Sequence, residues 1–108
     1  MEIGAAIITT SSIAVGARCP HARSGVGAVA TQNVTDPDLG LLVLDYMQDG
    51  LNAREAIAAV TRSRPHIEYR QLTAEDQFGQ SSSFTGKYVL GNHGVSEARD
   101  CVAAGNLL

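Results

Sequence analysis

Between Ile7 and Asn33 the chain reads IITTSSIAVGARCPHARSGVGAVATQN, a stretch without a single aspartate or glutamate. It holds the hydroxyls of Thr9, Thr10, Ser11 and Ser12, the guanidinium of Arg18, the imidazole of His21, and the polar run Thr31, Gln32 and Asn33. A hydroxyl becomes a nucleophile only with a base beside it, and the oxyanion formed by its attack on a carbonyl needs hydrogen-bond donors. A core strand pair does not need hydroxyls, a cation and carboxamides at its ends, so the pattern reads as a scaffold displaying a site. Each also has an ordinary reading. Threonine is common in strands, serines solvate bends, and a loop histidine is more often a hydrogen-bonding residue than a base. Convergence favours a site: Gln32 and Asn33 stand where a strand ends and a helix begins, and backbone N–H groups at such a junction bind anions.

These groups must be positioned by the elements around them. Residues 3–15, GAAIITTSSIAV and its flank, mix β-branched residues with threonine and carry no charge, which predicts a strand covered on both faces. ARCPHARSG reads as the turn or loop that follows, and Val26–Gln32 as a second strand antiparallel to the first. Asp36-Pro37-Asp38 is a helix start, with Asp36 as N-cap, proline at the first helical position and Asp38 complementing the dipole. Leu39, Leu42, Val43, Tyr46 and Met47 then form an apolar stripe, and Gly50 ends the helix. Asn52 with Glu55 makes a capping box for a second helix, whose buried face is Ala53, Ala56, Ile57 and Val60 and which Pro65 stops.

The pattern returns to strand over residues 67–85. Ile67, Tyr69, Gln71 and Thr73 share one face, and Glu68, Arg70, Leu72 and Ala74 the other. An exposed turn through Asp76–Gly79, tolerant of change, leads to a strand at Gln80–Thr85. Gly86, Gly91 and Gly94 make the tail loop-like until a last short strand at Asp100–Ala104. The order predicts an α+β fold in one domain, residues 1–108, with an αα-hairpin on one face of a largely antiparallel sheet.

Bulk properties exclude several classes. The chain has 108 residues and a formal net charge of −3, and its eight basic residues are scattered, which gives no footprint for nucleic acid. The uncharged run from Ile3 to Ala17 is too rich in Thr, Ser and Gly to span a bilayer, and no signal peptide precedes it, so a cytoplasmic protein without membrane partners is expected. No P-loop, dinucleotide fingerprint or G-x-S-x-G motif occurs, and no cofactor is implied. Cys19, His21, His93 and Cys101 match no common zinc spacing, so no metal is expected. A Cys19 thiolate activated by His21 is a separate possibility, weakened by Pro20 between them.

SSIAVGARCPHARSGVGAVATQNVTDPDLG, LDYMQDGLNAREAIAAV, EYRQLTAEDQFGQSSSFTG and CVAAGNLL, in that order, resemble an uncharacterised bacterial family of Ntn-hydrolase-like proteins. The resemblance covers nearly the whole chain. It implies an αββα sandwich in which an N-terminal Thr, Ser or Cys attacks an amide carbonyl with its own α-amine as base, acting on a small-molecule or peptide-like amide. Arg18 then stands where a cation assists the nucleophile. Internal Thr10 or Ser11 could substitute as nucleophile only with a new base, for which His21 is the sole nearby candidate. Ser12, His21, Thr31, Gln32, Asn33 and Asn106 would contact substrate.

Relatives begin with a leading strand whose Thr is exposed once the initiator Met is removed, whereas this chain begins Met1-Glu2-Ile3-Gly4. The resemblance therefore implies a sandwich incomplete at both ends. It also implies an amide hydrolase inactive in this chain for want of its N-terminal nucleophile. The other reading is a non-catalytic small-molecule-binding or assembly module on the same fold. A sheet left with an unpaired edge further predicts a homo-oligomer.

Overall fold

The computed structural model describes residues 2–8 and 14–108; Thr9, Thr10, Ser11 and Ser12 lie outside them. The fold is α+β, as the element order predicts. Four antiparallel strands form the main sheet in chain order: β1 (Pro20–Arg23), β2 (Gly27–Gln32), β3 (Gln71–Asp76) and β4 (Ser81–Thr85). A short helix α1 (Val15–Arg18) precedes the sheet, and α2 (Asp38–Gln48) and α3 (Ala53–Ser63) connect β2 to β3. A second, two-stranded antiparallel sheet closes the chain, β5 (Gly94–Ala98) with β6 (Cys101–Gly105). No helix among the described residues is long and apolar enough to cross a membrane.

Alternation along the strands gives the main sheet two different faces. Val29, Leu72 and Ala74 point to the helices and pack with Leu39, Val43, Leu44 and Met47 of α2 and Ala53, Ala56, Ile57 and Val60 of α3. The four residues expected to form the buried face of α3 are all buried. In α2, Leu39, Val43 and Met47 of the expected stripe reach the core, whereas Leu42 and Tyr46 stay at its margin and Leu44 is buried instead. Each large aliphatic side chain buried this way contributes about 1.5–3 kcal/mol. The alanines of α3 let its axis approach closely. Gln32, Gln71, Thr73, Glu75, Ser83 and Thr85 project from the opposite face, and the β5–β6 hairpin lies over its β3 and β4 side.

Several expected boundaries are corrected. Residues 3–8 are not in a strand, and residues 15–18 are the helix α1. The partner of β2 comes from the stretch read as a loop, with Pro20 opposite Ala30 and Arg23 opposite Gly27. A short turn makes that pairing possible. Val26 donates its N–H to the Arg23 carbonyl at 3.0 Å, and Gly25 takes φ +73, a region in which glycine alone is unstrained. Pro20 is tolerated because it opens an edge strand.

Residues 67–69 likewise form a 3₁₀ turn and not strand, entered through His66 at φ 60. The tail contains a strand, β5, that its glycines concealed. Ala98 pairs with Cys101 across a two-residue turn in which Asp100 sits at φ 61, in the left-handed region that aspartate tolerates better than most residues.

The cap of α3 behaves as the sequence predicts, whereas α2 starts one residue later than expected, with Pro37 and not Asp36 at the N-cap and no side-chain cap hydrogen bond there. Asn52 Oδ1 accepts the Glu55 N–H at 2.9 Å and Glu55 Oε1 accepts the Asn52 N–H at 3.2 Å. Gly50 at φ +108 ends α2. Asp36 accepts the Asp38 N–H at 3.1 Å and pairs with Arg64, beyond the end of α3, at 2.9 Å. Burial by itself would raise the Asp36 carboxyl. The Arg64 and Asp38 hydrogen bonds and the charges of Arg64 and Arg70 outweigh it and hold that carboxyl below the ordinary aspartate range. On the sheet's polar face the balance runs the other way: burial raises Glu75, and the carboxylates of Asp100 and Asp76 raise it further.

Asp76 is the largest departure from expectation. It is not part of an exposed tip but 2% exposed. Its Oδ2 accepts the N–H of Ala53, the first residue of α3, at 2.9 Å, and its Oδ1 accepts those of Phe78 at 2.9 Å and Gln80 at 3.1 Å. One carboxylate thus caps a helix and closes the β3–β4 turn.

Asp76→Ala strands those donors and should lower stability by about 2–4 kcal/mol, read as a lower urea midpoint. Asp36 sets a pH limit. Its lowered carboxyl contributes stability that is complete above the unfolded aspartate value and lost as pH falls through the folded one. The thermal midpoint of Asp36→Asn should therefore lie below that of the parent at pH 6, with the gap narrowing as pH drops towards 2; a gap independent of pH would refute the ionic contribution.

Candidate functional site

A cleft of about 670 Å³ opens where α1, the end of β2 and the end of β6 meet; Arg18, Cys19, Gln32, Asn33, Thr35 and Asn106 are among its lining residues. Local structure explains why these groups meet. The last turn of α1 ends in Arg18 and Cys19, and the Cys19 carbonyl accepts the Thr31 N–H at 3.0 Å, which ties the helix to β2. Arg18 reaches across and donates from Nη2 to the Thr35 carbonyl at 3.2 Å. Cys19 Sγ lies 3.8 Å from Thr35 Oγ1.

After Gln32 the chain turns sharply. Asn33 and Val34 adopt φ 65 and φ 47, a region costly for a β-branched residue such as Val34. The turn directs the Asn33 carboxamide inward, where it is 7% exposed. Its Nδ2 donates to the Tyr69 carbonyl. Its Oδ1 accepts the Leu90 N–H and the Asn106 Nδ2, each at 3.1 Å. Gln32 Nε2 donates to Gln71 Oε1 and to the Ala104 carbonyl, and Gln71 Nε2 donates to Thr85 Oγ1 at 3.2 Å and the Gly94 carbonyl at 3.4 Å. A row of side chains across β2, β3 and β4 thereby holds the hairpin at both Ala104 and Gly94.

Of the residues proposed for a site from the sequence, Arg18, Gln32, Asn33 and Asn106 come together in this cleft. Thr31 and His21 do not. Thr31 is fully buried and stands opposite Leu72 on the helix side of the sheet; its hydroxyl has no hydrogen-bond partner among the described residues. His21 also faces the helices. Its Nε2 lies 3.2 Å from the Arg18 carbonyl, and a Cβ on Gly40 of α2 would overlap its ring, so the glycine makes room for the imidazole. Thr10, Ser11 and Ser12 lie outside the described residues.

Thr35 and Leu90, which the sequence did not single out, also border the cleft. The Val34-Thr35 step before the Asp36 cap was the available signal for Thr35; nothing local marks Leu90. Among the described residues, no cluster of three or more His, Cys, Asp or Glu side chains is placed to hold a metal.

The model of a family of unknown function, DUF1028, matches residues 1–108. The crystal structure of a Silicibacter pomeroyi protein described with that same family superposes with a TM-score of 0.87 at 30% sequence identity, covering 92% of this chain and 46% of that protein. The chain therefore spans less than half the length of that relative. No curated protein matches it significantly.

The bonding pattern separates two lining residues by role. Gln32→Ala removes the link from β2 to Gln71 and Ala104 and should cost about 1–2 kcal/mol. Arg18→Ala removes one exposed bond and should change stability by less than about 0.5 kcal/mol. Paired urea titrations read both. An Arg18 loss equal to that of Gln32 would make the arginine a structural residue.

Proposed function

This chain belongs to the DUF1028 family of unknown function, and we propose that it forms the binding wall of an amide hydrolase of the N-terminal-nucleophile type. The observation that carries this reading is the convergence of Arg18, Gln32, Asn33 and Asn106 on one cleft. The order of layers supports it: two helices, a four-stranded sheet and a strand pair correspond to consecutive layers of an αββα sandwich. In the reaction a hydroxyl adds to the amide carbonyl and gives up its proton. The tetrahedral oxyanion collapses as the C–N bond breaks and the amine leaves protonated, and water then releases the acyl group as a carboxylic acid. Arg18 would oppose negative charge on the oxyanion, and Gln32 and Asn106 would orient the substrate amide. Thr10 or Ser11 would stand in for the N-terminal hydroxyl only with a base other than an α-amine of its own to take the proton. No cofactor enters the scheme. A homo-oligomer belongs to the proposal, since β1 and β4 end the main sheet with no further strand beside them among the described residues.

A second reading, a non-catalytic small-molecule-binding or assembly module, draws on two different observations. His21, the base that the sequence places nearest the hydroxyl run, is engaged with the Arg18 carbonyl and packed towards α2. The acceptor of Asn33 is already occupied by Leu90 and Asn106, which gives that amide a scaffolding role.

Incubation with a panel of N-acyl p-nitroanilides decides between them. The hydrolase reading expects nitroaniline release and an acyl adduct in the intact mass spectrum, with kcat/KM falling about 100-fold in Arg18→Ala, the scale of losing one oxyanion-stabilising group. Saturable binding with no release selects the binding module. Neither release nor binding overturns both.

A further inference from the structure

The lining of the cleft combines different chemistries. Arg18 is its single charged side chain among the described residues, in a protein whose net charge is −3. Ile7, Val15, Val34 and Leu90 are among its aliphatic members. Val34 is 62% exposed and Leu90 52% exposed. Leu90 is held in place at both ends of its peptide unit, its N–H by Asn33 Oδ1 at 3.1 Å and its carbonyl by the Leu107 N–H at 3.0 Å. Val34 occupies a backbone region that disfavours its side chain, and yet most of that residue is exposed. Strain retained with an apolar group facing outward is a feature found at ligand sites.

Two carboxamides of the same lining, Gln32 and Asn106, have capacity to spare. Gln32 spends its Nε2 on Gln71 and Ala104, and its Oε1 accepts no hydrogen bond among the described residues. Asn106 uses one Nδ2 hydrogen on Asn33 and keeps its second hydrogen and its Oδ1.

We propose that the cleft takes an N-acylated amino acid, with its carboxylate on Arg18, its amide between Gln32 and Asn106, and its aliphatic acyl chain over Val34 and Leu90. The assignment rests on the amide-binding reading of the same cleft and narrows it. A simple fatty acid would satisfy Arg18 and the aliphatic side chains and leave the carboxamides unpaired. A short neutral amide would satisfy the carboxamides and use neither Arg18 nor the aliphatic side chains. A guanidinium in a cleft free of acidic side chains selects the anion, through a charge-assisted hydrogen bond that a neutral group cannot replace.

Isothermal titration calorimetry with four probes tests this: N-dodecanoylglycine below its micelle concentration, its neutral glycinamide counterpart, N-acetylglycine and dodecanoate. N-dodecanoylglycine should bind at least about tenfold more tightly than each of the others. Arg18→Ala should weaken it by about 10- to 100-fold while leaving the glycinamide unchanged. Leu90→Ser should weaken only the probes with a dodecanoyl chain. Thermal unfolding of both variants confirms that each is folded. Equal binding of acid and glycinamide, indifference to Arg18→Ala, or no saturable binding by any probe overturns the assignment. Anion-selective binding without hydrolysis upholds it and rejects only the hydrolase reading. Hydrolysis of short neutral amides with no preference for an acylated acid upholds the hydrolase and overturns the assignment.

Discussion

One buried carboxamide, that of Asn33, joins parts of the chain that no strand or helix pairing connects. Its donor holds the Tyr69 carbonyl before β3, and its acceptor holds the Leu90 N–H after β4 and the Asn106 side chain after β6. All three sites meet the end of β2, where Asn33 itself stands at φ 65. Asparagine suits this position twice over, because it tolerates the left-handed region better than most residues and its amide both donates and accepts. The cleft exists because these segments are gathered at one point. Besides α1 and the ends of β2 and β6, its lining comes from loop segments that have no ladder of their own to stabilise them.

The main sheet imposes the second constraint. Its helix-facing side is closed by aliphatic packing, which is strong and non-directional. The other side presents carboxamides and hydroxyls, and there the β5–β6 hairpin is held by directional bonds: Gln32 to Ala104, Gln71 to Gly94, and Ser83 to Glu97 at 2.7 Å. A polar interface of this kind depends on each partner being satisfied. The hairpin's position therefore follows the glutamine row, and the end of β6 that borders the cleft follows the hairpin. Glu75, raised by its burial and by the charges of Asp100 and Asp76, introduces a local repulsion into the same face, close to the hairpin turn.

Family membership adds a fold and a relative, with no reaction attached. One cavity combines a cation with no acidic side chain beside it, carboxamides with unused hydrogen-bonding capacity, and the half-exposed aliphatic side chains of Val34 and Leu90. Gln32 anchors the hairpin through its nitrogen, while its oxygen accepts no hydrogen bond among the described residues. A residue can thus be structural through one atom and recognise a ligand through another.

Where the governing interactions are local in sequence, they were legible. The Asn52–Glu55 box, the Asp36-Pro37-Asp38 start, Gly50 and Pro65 delimited both long helices, because capping and breaking act within one turn. The 3.6-residue spacing likewise identified the buried face of α3, and period-2 alternation separated Leu72 and Ala74 from Gln71 and Thr73. Strand partnership was different. The propensity of residues 3–15 favours strand, but β2 pairs with Pro20–Arg23, since a tight turn at Gly25 brings that segment into register first.

Asp76 reads as a turn residue from its neighbours and becomes a helix cap only because α3 begins beside it in space. Thr31 and Gln32 are adjacent and equally polar in the sequence, yet the strand's alternation buries one under the helices and sets the other against the hairpin. The sequence by itself therefore determined the two long helices, the α+β class and the supply of polar groups. Which of those groups share a cleft was decided by tertiary structure alone, because that depends on strand register and on long-range bonds from Asn33 that no local pattern encodes.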